Sequence, residues 1–68
     1  MNRPQYASMY CILNKFYSKQ ITSFKILFDE TDCWDKSYFR LDYKQYTSLT
    51  TLISDLAYSL YIANFDIF

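Results

Sequence analysis

Near the start of the chain, apolar residues recur every three or four positions, which is the pattern of one helix face. The residues of this stripe are Tyr6, Met9, Tyr10, Leu13, Phe16 and Tyr17. Asn2 is a suitable N-cap, Pro4 suits a first helical turn, and Gln5 stands where a capping box has its second member. We therefore predict a helix from about Pro4 to Ser18.

Two later segments change to the alternating pattern of strands. In residues 21–28, Phe24, Ile26 and Phe28 alternate with Ser23, Lys25 and Leu27. In residues 37–43, Phe39, Leu41 and Tyr43 alternate with Tyr38, Arg40 and Asp42. Aromatic and β-branched residues, which favour strands, are common in both segments. We predict an antiparallel pair of strands joined by residues 29–36, a connection longer than the usual two to five residues.

The clearest pattern lies near the end of the chain, where one helix face is apolar throughout. Its residues are Leu49, Leu52, Ile53, Leu56, Leu60 and Ala63. Thr47 or Ser48 supplies the N-cap, and Asn64 is a suitable end. The opposite face holds Thr50, Thr51, Ser54, Asp55, Tyr58, Ser59 and Ile62. A single charge is unusual for a helix face in water, so this face is a candidate contact surface.

The order helix, strand, strand, helix predicts one small α+β domain over residues 1–68. In this prediction, an antiparallel sheet of two or three strands packs against two helices. A two-stranded sheet has poorly protected edges. We therefore expect a third strand from the apolar tail at residues 65–68, a homodimer that extends the sheet, or a partner that covers it.

Composition adds three constraints. Aromatic residues make up 22% of the chain and include eight tyrosines, which is too many for so small a core. Some of these rings must therefore lie at the surface, and Tyr is enriched where proteins contact one another. Histidine is absent, which removes the commonest general base and metal ligand. The net charge is zero, so the chain lacks the long-range field that attracts duplex nucleic acid.

Cys11 and Cys33 form no CxxC motif and no Cys/His cluster, so we interpret both as free thiols in a reducing compartment. The N-terminal residues lack the apolar region of a signal peptide. No stretch approaches the roughly 18 apolar residues of a membrane span. These features predict a cytoplasmic protein without a membrane partner.

Asp29, Glu30, Asp32 and Asp35 surround Trp34. A calcium loop is not expected, because the central Gly and the bidentate Glu at its twelfth position are missing. The cluster is either a solvated turn whose aspartates bond their own backbone, or a contact surface. In the second interpretation, Trp34 is the anchor and Asp32 and Asp35 attract a basic partner. Tyr38, Arg40 and the face of Tyr58 are the supporting contacts of this predicted site.

The chain offers no nucleophile with a base and no Gly-rich phosphate loop, so we expect no enzyme and no cofactor. Its small size, its AT-rich residue usage and its aromatic acidic segment resemble, in type, the small inhibitors of phages and mobile elements, such as anti-CRISPR and host-takeover proteins. This resemblance implies a protein-binding module that sterically blocks a host protein. The expected target is a bacterial nucleic-acid-processing protein, because such proteins present basic surfaces.

Two other functions remain open at this point. The first alternative is single-stranded nucleic-acid binding, in which Tyr38 or Tyr43 stacks on bases. The cations for that function are Lys15, Lys19, Lys25, Arg40 and Lys44. A membrane-active peptide ranks below both, because the last helix lacks the Lys and Arg that bind anionic lipid.

Overall fold

A computed structural model describes residues 4–36 and 40–65 of the chain, and within these ranges it contains helices and no strand. The elements are α1 (Pro4–Tyr17), a π-helical turn (Ile26–Glu30), a 3₁₀ turn (Cys33–Lys36), α2 (Arg40–Tyr43) and α3 (Leu49–Phe65). The predicted α+β class is therefore wrong.

The first helix is confirmed to within one residue. It ends in a Schellman motif: the Lys19 N–H donates to the Phe16 carbonyl at 3.1 Å, and the Gln20 N–H donates to the Lys15 carbonyl at 2.8 Å. This motif needs a left-handed residue, and Lys19 takes that position with φ of 68°. The chain has no glycine for this turn, so the left-handed conformation of Lys19 costs about 1–2 kcal/mol.

The first predicted strand is wrong because its apolar residues also fit a helix. Leu27 falls on the polar face of the strand pattern, whereas a helix places Leu27 and Phe28 three and four residues after Phe24, on the same side as that residue. Leu27 is fully buried in the structure. Ser23 caps this segment: its Oγ accepts from the Ile26 N–H at 3.3 Å, and its carbonyl accepts from the Leu27 N–H at 3.0 Å.

The second predicted strand is also wrong over the part that is described. Residues 40–43 form α2, and the side chain of Tyr43 is buried in the core. Residues 37–39 and the tail at 66–68 lie outside the described ranges. Since the described residues include no sheet, they offer no sheet edge for a third strand or for a homodimer to extend.

The last predicted helix is confirmed as α3, and its apolar stripe faces the core. Five residues of the stripe are buried and the sixth, Leu49, is partly buried; the five are Leu52, Ile53, Leu56, Leu60 and Ala63. Ser48 is the N-cap, since its Oγ accepts from the Thr51 N–H at 3.5 Å. Neither α3 nor another helix of the described ranges is long and apolar enough to cross a membrane.

The core lies between α1, α3 and the turns that connect them. Ile12 from α1, Ile21 and Leu27 from the connection, and Leu52 from α3 are fully or almost fully shielded from water. A disulfide between Cys11 and Cys33 links α1 to the 3₁₀ turn, with the two Cα atoms 5.7 Å apart. The interpretation of both cysteines as free thiols is therefore wrong for the oxidised form of the chain that this structure shows. The pairing spans 22 positions, and it depends on how the 3₁₀ turn packs on α1 rather than on a local motif.

Removing this disulfide should destabilise the fold. For a loop of this length, chain entropy predicts a loss of about 3 kcal/mol in the free energy of unfolding, because the unfolded chain gains freedom. Urea unfolding of the oxidised protein and of the Cys11→Ser/Cys33→Ser variant measures the loss. As a control, the variant is also unfolded in the presence of a reductant. Its free energy of unfolding should stay unchanged, because it has no disulfide to reduce. Equal stability of the two proteins would contradict the prediction.

Candidate functional site

Trp34, the predicted anchor of the acidic segment, lies half-buried and is used by the fold. Its indole N–H donates to the Leu27 carbonyl at 2.7 Å, and that carbonyl also accepts from the Thr31 hydroxyl at 2.8 Å. Both donors satisfy a backbone acceptor near the end of the π-helical turn, where helical partners run out. Trp34 therefore closes the segment that the sequence patterns predict as a strand.

The ring of Trp34 also belongs to a row of four aromatic rings, which we call the aromatic row. Its members are Phe24, Phe28, Trp34 and Tyr43, with neighbouring ring centroids 5.7, 5.6 and 5.3 Å apart. These distances are typical of favourable aromatic pairs. The row connects the π-helical turn through the 3₁₀ turn to α2. The exposed part of Trp34 can still contact a partner, but its main contacts are internal.

The other predicted site residues are distributed over several elements. Asp32 is exposed and its carboxylate accepts from the Lys15 ammonium at 2.7 Å. Asp35 lies in the 3₁₀ turn and Arg40 begins α2, but their side chains lie outside the described part of the structure, as does Tyr38 altogether. The structure therefore brings Asp32 and Trp34 together on one segment, while Tyr58 stands on α3.

Two of the five cations considered for nucleic-acid binding make internal contacts. Lys15 forms the ion pair with Asp32. The Lys44 ammonium lies 5.7 Å from the centroid of the Phe28 ring, within the range of a cation–π contact. A phosphate would have to compete with these contacts. Tyr43, a predicted stacking residue, is buried in the aromatic row and offers no free face to a base.

The outer face of α3 holds the largest exposed side chains of that helix. Tyr58 is 62% exposed, Tyr61 59% and Ile62 41%. They lie at positions i, i+3 and i+4, so they are neighbours on one side of the last turns. We call these three residues the α3 outer patch. Of these three residues, Tyr58 alone is among the predicted site residues; the spacing of Tyr61 and Ile62 from it is the signal that would have found them.

The patch has no charged member, and Asp55 is the only charged residue of α3. Asp55 lies one turn before the patch and accepts a hydrogen bond from the Tyr46 hydroxyl. This bond, with lesser effects of burial and of the Asp55 charge, raises the pKa of Tyr46 above its ordinary value. The one charge of the helix is therefore already bonded within the fold.

A shallow hollow of about 400 Å³ lies beside α2, lined by Asp42, Tyr43, Gln45 and Tyr46. The Tyr43 hydroxyl is buried and has no hydrogen-bond partner among the described residues. Burial, with the neighbouring Tyr46 and Asp42 as lesser causes, raises the pKa of Tyr43 to about 12. The hollow thus places the carboxylate of Asp42 and the amide of Gln45 beside two phenol groups.

No family model, curated protein or solved structure matches this chain. Any function must therefore be inferred from the chain's own surface. Within the described residues, the α3 outer patch is a surface on which three large, mostly exposed side chains lie next to one another.

Two variants of Trp34 should separate its hydrogen bond from its ring. Trp34→Phe keeps a ring in the aromatic row but loses the bond to Leu27, so we expect a loss of about 1 kcal/mol in the free energy of unfolding. Trp34→Ala also removes the ring, and we expect a loss of about 3 kcal/mol. Urea unfolding measures both. Tyr58→Ala is the control, with a change within about 0.5 kcal/mol; a Trp34→Ala variant as stable as this control would refute the structural role.

Tyr43 should make the fold sensitive to alkaline pH. Its folded pKa is raised, so the stability it contributes is complete below its ordinary value near 10 and is lost as pH rises towards 12. We expect the free energy of unfolding to fall by about 2–3 kcal/mol over this range. Urea unfolding at several pH values should show a smaller fall in Tyr43→Phe. An equal fall in both proteins would contradict the assignment to Tyr43.

Proposed function

We propose that this chain is a small non-enzymatic module that binds another protein through the α3 outer patch and blocks that protein sterically. The observation that carries the proposal is the exposure of two tyrosines and an isoleucine side by side on a helix face whose single charge is Asp55. Such side chains would be costly to leave in water, and they suit the centre of an interface.

The composition of the patch favours a protein partner. Tyr58 and Tyr61 offer large, rigid rings with a polar tip, which is the usual character of residues that dominate binding energy. Ile62 adds apolar area next to Tyr58. An uncharged patch gains little from a phosphate backbone, where cations supply most of the affinity.

The fold supports this use by holding the patch rigid. The inner face of α3 is anchored by Leu56, Leu60 and Ala63, which are all buried. A helix held in this way loses little conformational entropy when its outer face is covered. The patch therefore offers a preformed ridge that a complementary groove can receive.

The acidic segment supplies a second contact region in the same proposal, which we call the acidic flank. Asp29, Glu30 and Asp32 are exposed, and acidic side chains on a surface steer a basic partner. Trp34, half-buried beside them, adds its accessible edge. A basic surface is a common property of proteins that handle nucleic acid, so a bacterial nucleic-acid-processing protein is the target we propose. Asp35, Tyr38 and Arg40 stay predicted contacts of this flank.

The proposed compartment follows from the proposed target. A protein that processes nucleic acid works in the cytoplasm, where cellular thiols keep most cysteines reduced. A disulfide such as that of Cys11 and Cys33 is typical of oxidising surroundings. In a reducing cytoplasm the pair would be a dithiol, and oxidation would convert it to the disulfide. An inhibitor encoded by a phage or a mobile element is the type of protein that fits this proposal.

Substitution in the patch should weaken partner binding without unfolding the protein. Tyr58→Ala removes a ring that contributes to the interface but not to the core, so we expect a loss of at least about 2 kcal/mol, or about 30-fold in Kd. Tyr17→Ala is the matched control, since Tyr17 is 65% exposed on α1 and outside the patch. We expect this control to bind within about 0.5 kcal/mol of the wild type.

The tagged wild type and both variants are incubated with nuclease-treated and untreated lysates of low-GC bacteria, and bound proteins are identified by mass spectrometry. The partner is then purified, its Kd is measured for each variant, and its nucleic-acid binding is assayed with the module present. Equal retention of the partner by wild type and Tyr58→Ala would refute the proposed surface. Capture that disappears with nuclease and with moderate salt would favour the nucleic-acid alternative. Sedimentation analysis of the purified protein tests self-association through the patch.

A further inference from the structure

Three groups that commonly bind metals converge where the 3₁₀ turn meets α1. They are the sulfurs of Cys11 and Cys33 and a carboxylate oxygen of Asp32, and all three atoms lie within 4.8 Å of one another. Cys11 comes from α1, whereas Asp32 and Cys33 are adjacent at the start of the turn. Tertiary packing therefore assembles the cluster from two distant parts of the chain.

We propose that reduction of the Cys11–Cys33 disulfide converts this cluster into a site for a thiophilic divalent cation, of which Zn²⁺ is the representative. Reduction adds two electrons and two protons to the disulfide and gives two thiols. Two equivalents of a cellular thiol supply these electrons and protons and leave joined as their own disulfide. A Zn²⁺ ion then displaces the two thiol protons. It is held by two thiolates and by the Asp32 carboxylate.

The dimensions of the cluster fit this ion. Tetrahedral zinc with Zn–S bonds of about 2.3 Å and Zn–O bonds of about 2.1 Å places its ligand atoms roughly 3.6–3.8 Å apart. The three donor atoms already lie within 4.8 Å of one another, so rotation of the side chains is sufficient to reach this spacing. Asp32 is exposed and Cys11 only partly buried, which leaves access for the ion and for a water molecule as fourth ligand.

Lys15 balances the charge of the site. Two thiolates and one carboxylate exceed the charge of Zn²⁺ by one negative unit, and the Lys15 ammonium contacts Asp32 Oδ1 at 2.7 Å. A carboxylate has two oxygens, so one of them can bind the metal while the other accepts from Lys15. Such outer hydrogen bonds orient ligands and tune metal affinity.

Other contacts keep the two cysteines together after reduction. The Lys15–Asp32 ion pair joins the same two elements, and it involves no sulfur. Ile12 and Leu27 are both fully buried in the same core. Ile12 follows Cys11 in α1, and the carbonyl of Leu27 accepts the hydrogen bond from the Trp34 indole. The reduced protein therefore retains interactions that hold Cys33 near α1.

The test compares zinc binding by the full chain before and after its disulfide is reduced with a phosphine. In that reduction the phosphine is oxidised by the disulfide and water to its phosphine oxide. Zn²⁺ is titrated against a chromophoric chelator, and Co²⁺ is used as a spectroscopic probe, since thiolate ligands give cobalt a characteristic charge-transfer absorption. We expect about one ion per reduced chain and no saturable binding to the oxidised chain. Circular dichroism is recorded in parallel and should show the helices retained.

Asp32→Asn and Glu30→Gln form a matched pair, since both remove one exposed acid from the same segment. We expect Asp32→Asn to weaken zinc binding by at least about tenfold and Glu30→Gln to leave it unchanged. Cys33→Ser should abolish the cobalt charge-transfer band. The proposal is overturned if the reduced wild type binds no zinc, if it binds only after its helical signal is lost, or if Asp32→Asn binds as tightly as the wild type.

Discussion

The disulfide between Cys11 and Cys33 is the constraint on which the described structure depends most. It fixes the 3₁₀ turn on α1, and this turn carries Trp34, whose indole closes the π-helical turn through the Leu27 carbonyl. The aromatic row then extends the same contact to Tyr43 and α2. A chain of 68 residues buries little surface for its size, so a covalent link between distant segments compensates for a thin core.

The fold separates its aromatic residues into two groups with different roles. Phe24, Phe28, Trp34 and Tyr43 pack against one another and hold the irregular connection between α1 and α3. Tyr58 and Tyr61 lie on the outer face of α3, where more than half of each side chain is exposed. The high aromatic content thus serves both stability and, in our proposal, recognition.

The disulfide also connects stability with the compartment in which the protein works. In a reducing compartment the two sulfurs are thiols, and the proposed metal would replace the covalent link between the same two elements. A fold held by a disulfide in one state and by a cation in the other keeps the 3₁₀ turn on α1 in both. The α3 outer patch would then be presented by the same helix packing in either state.

The sequence by itself determined α1 and α3, because apolar residues repeat with the period of a helix in both segments. Met9, Leu13 and Phe16 carry this pattern in α1, and Leu52, Leu56 and Leu60 carry it in α3. It did not determine the segment around Leu27, where a short apolar run fits a strand or a helix equally well. There the choice was decided by burial of Leu27 and by bonds from Ser23, Thr31 and Trp34. The disulfide and the internal contacts of Trp34 were likewise decided only by tertiary structure, since each depends on which residues packing brings together.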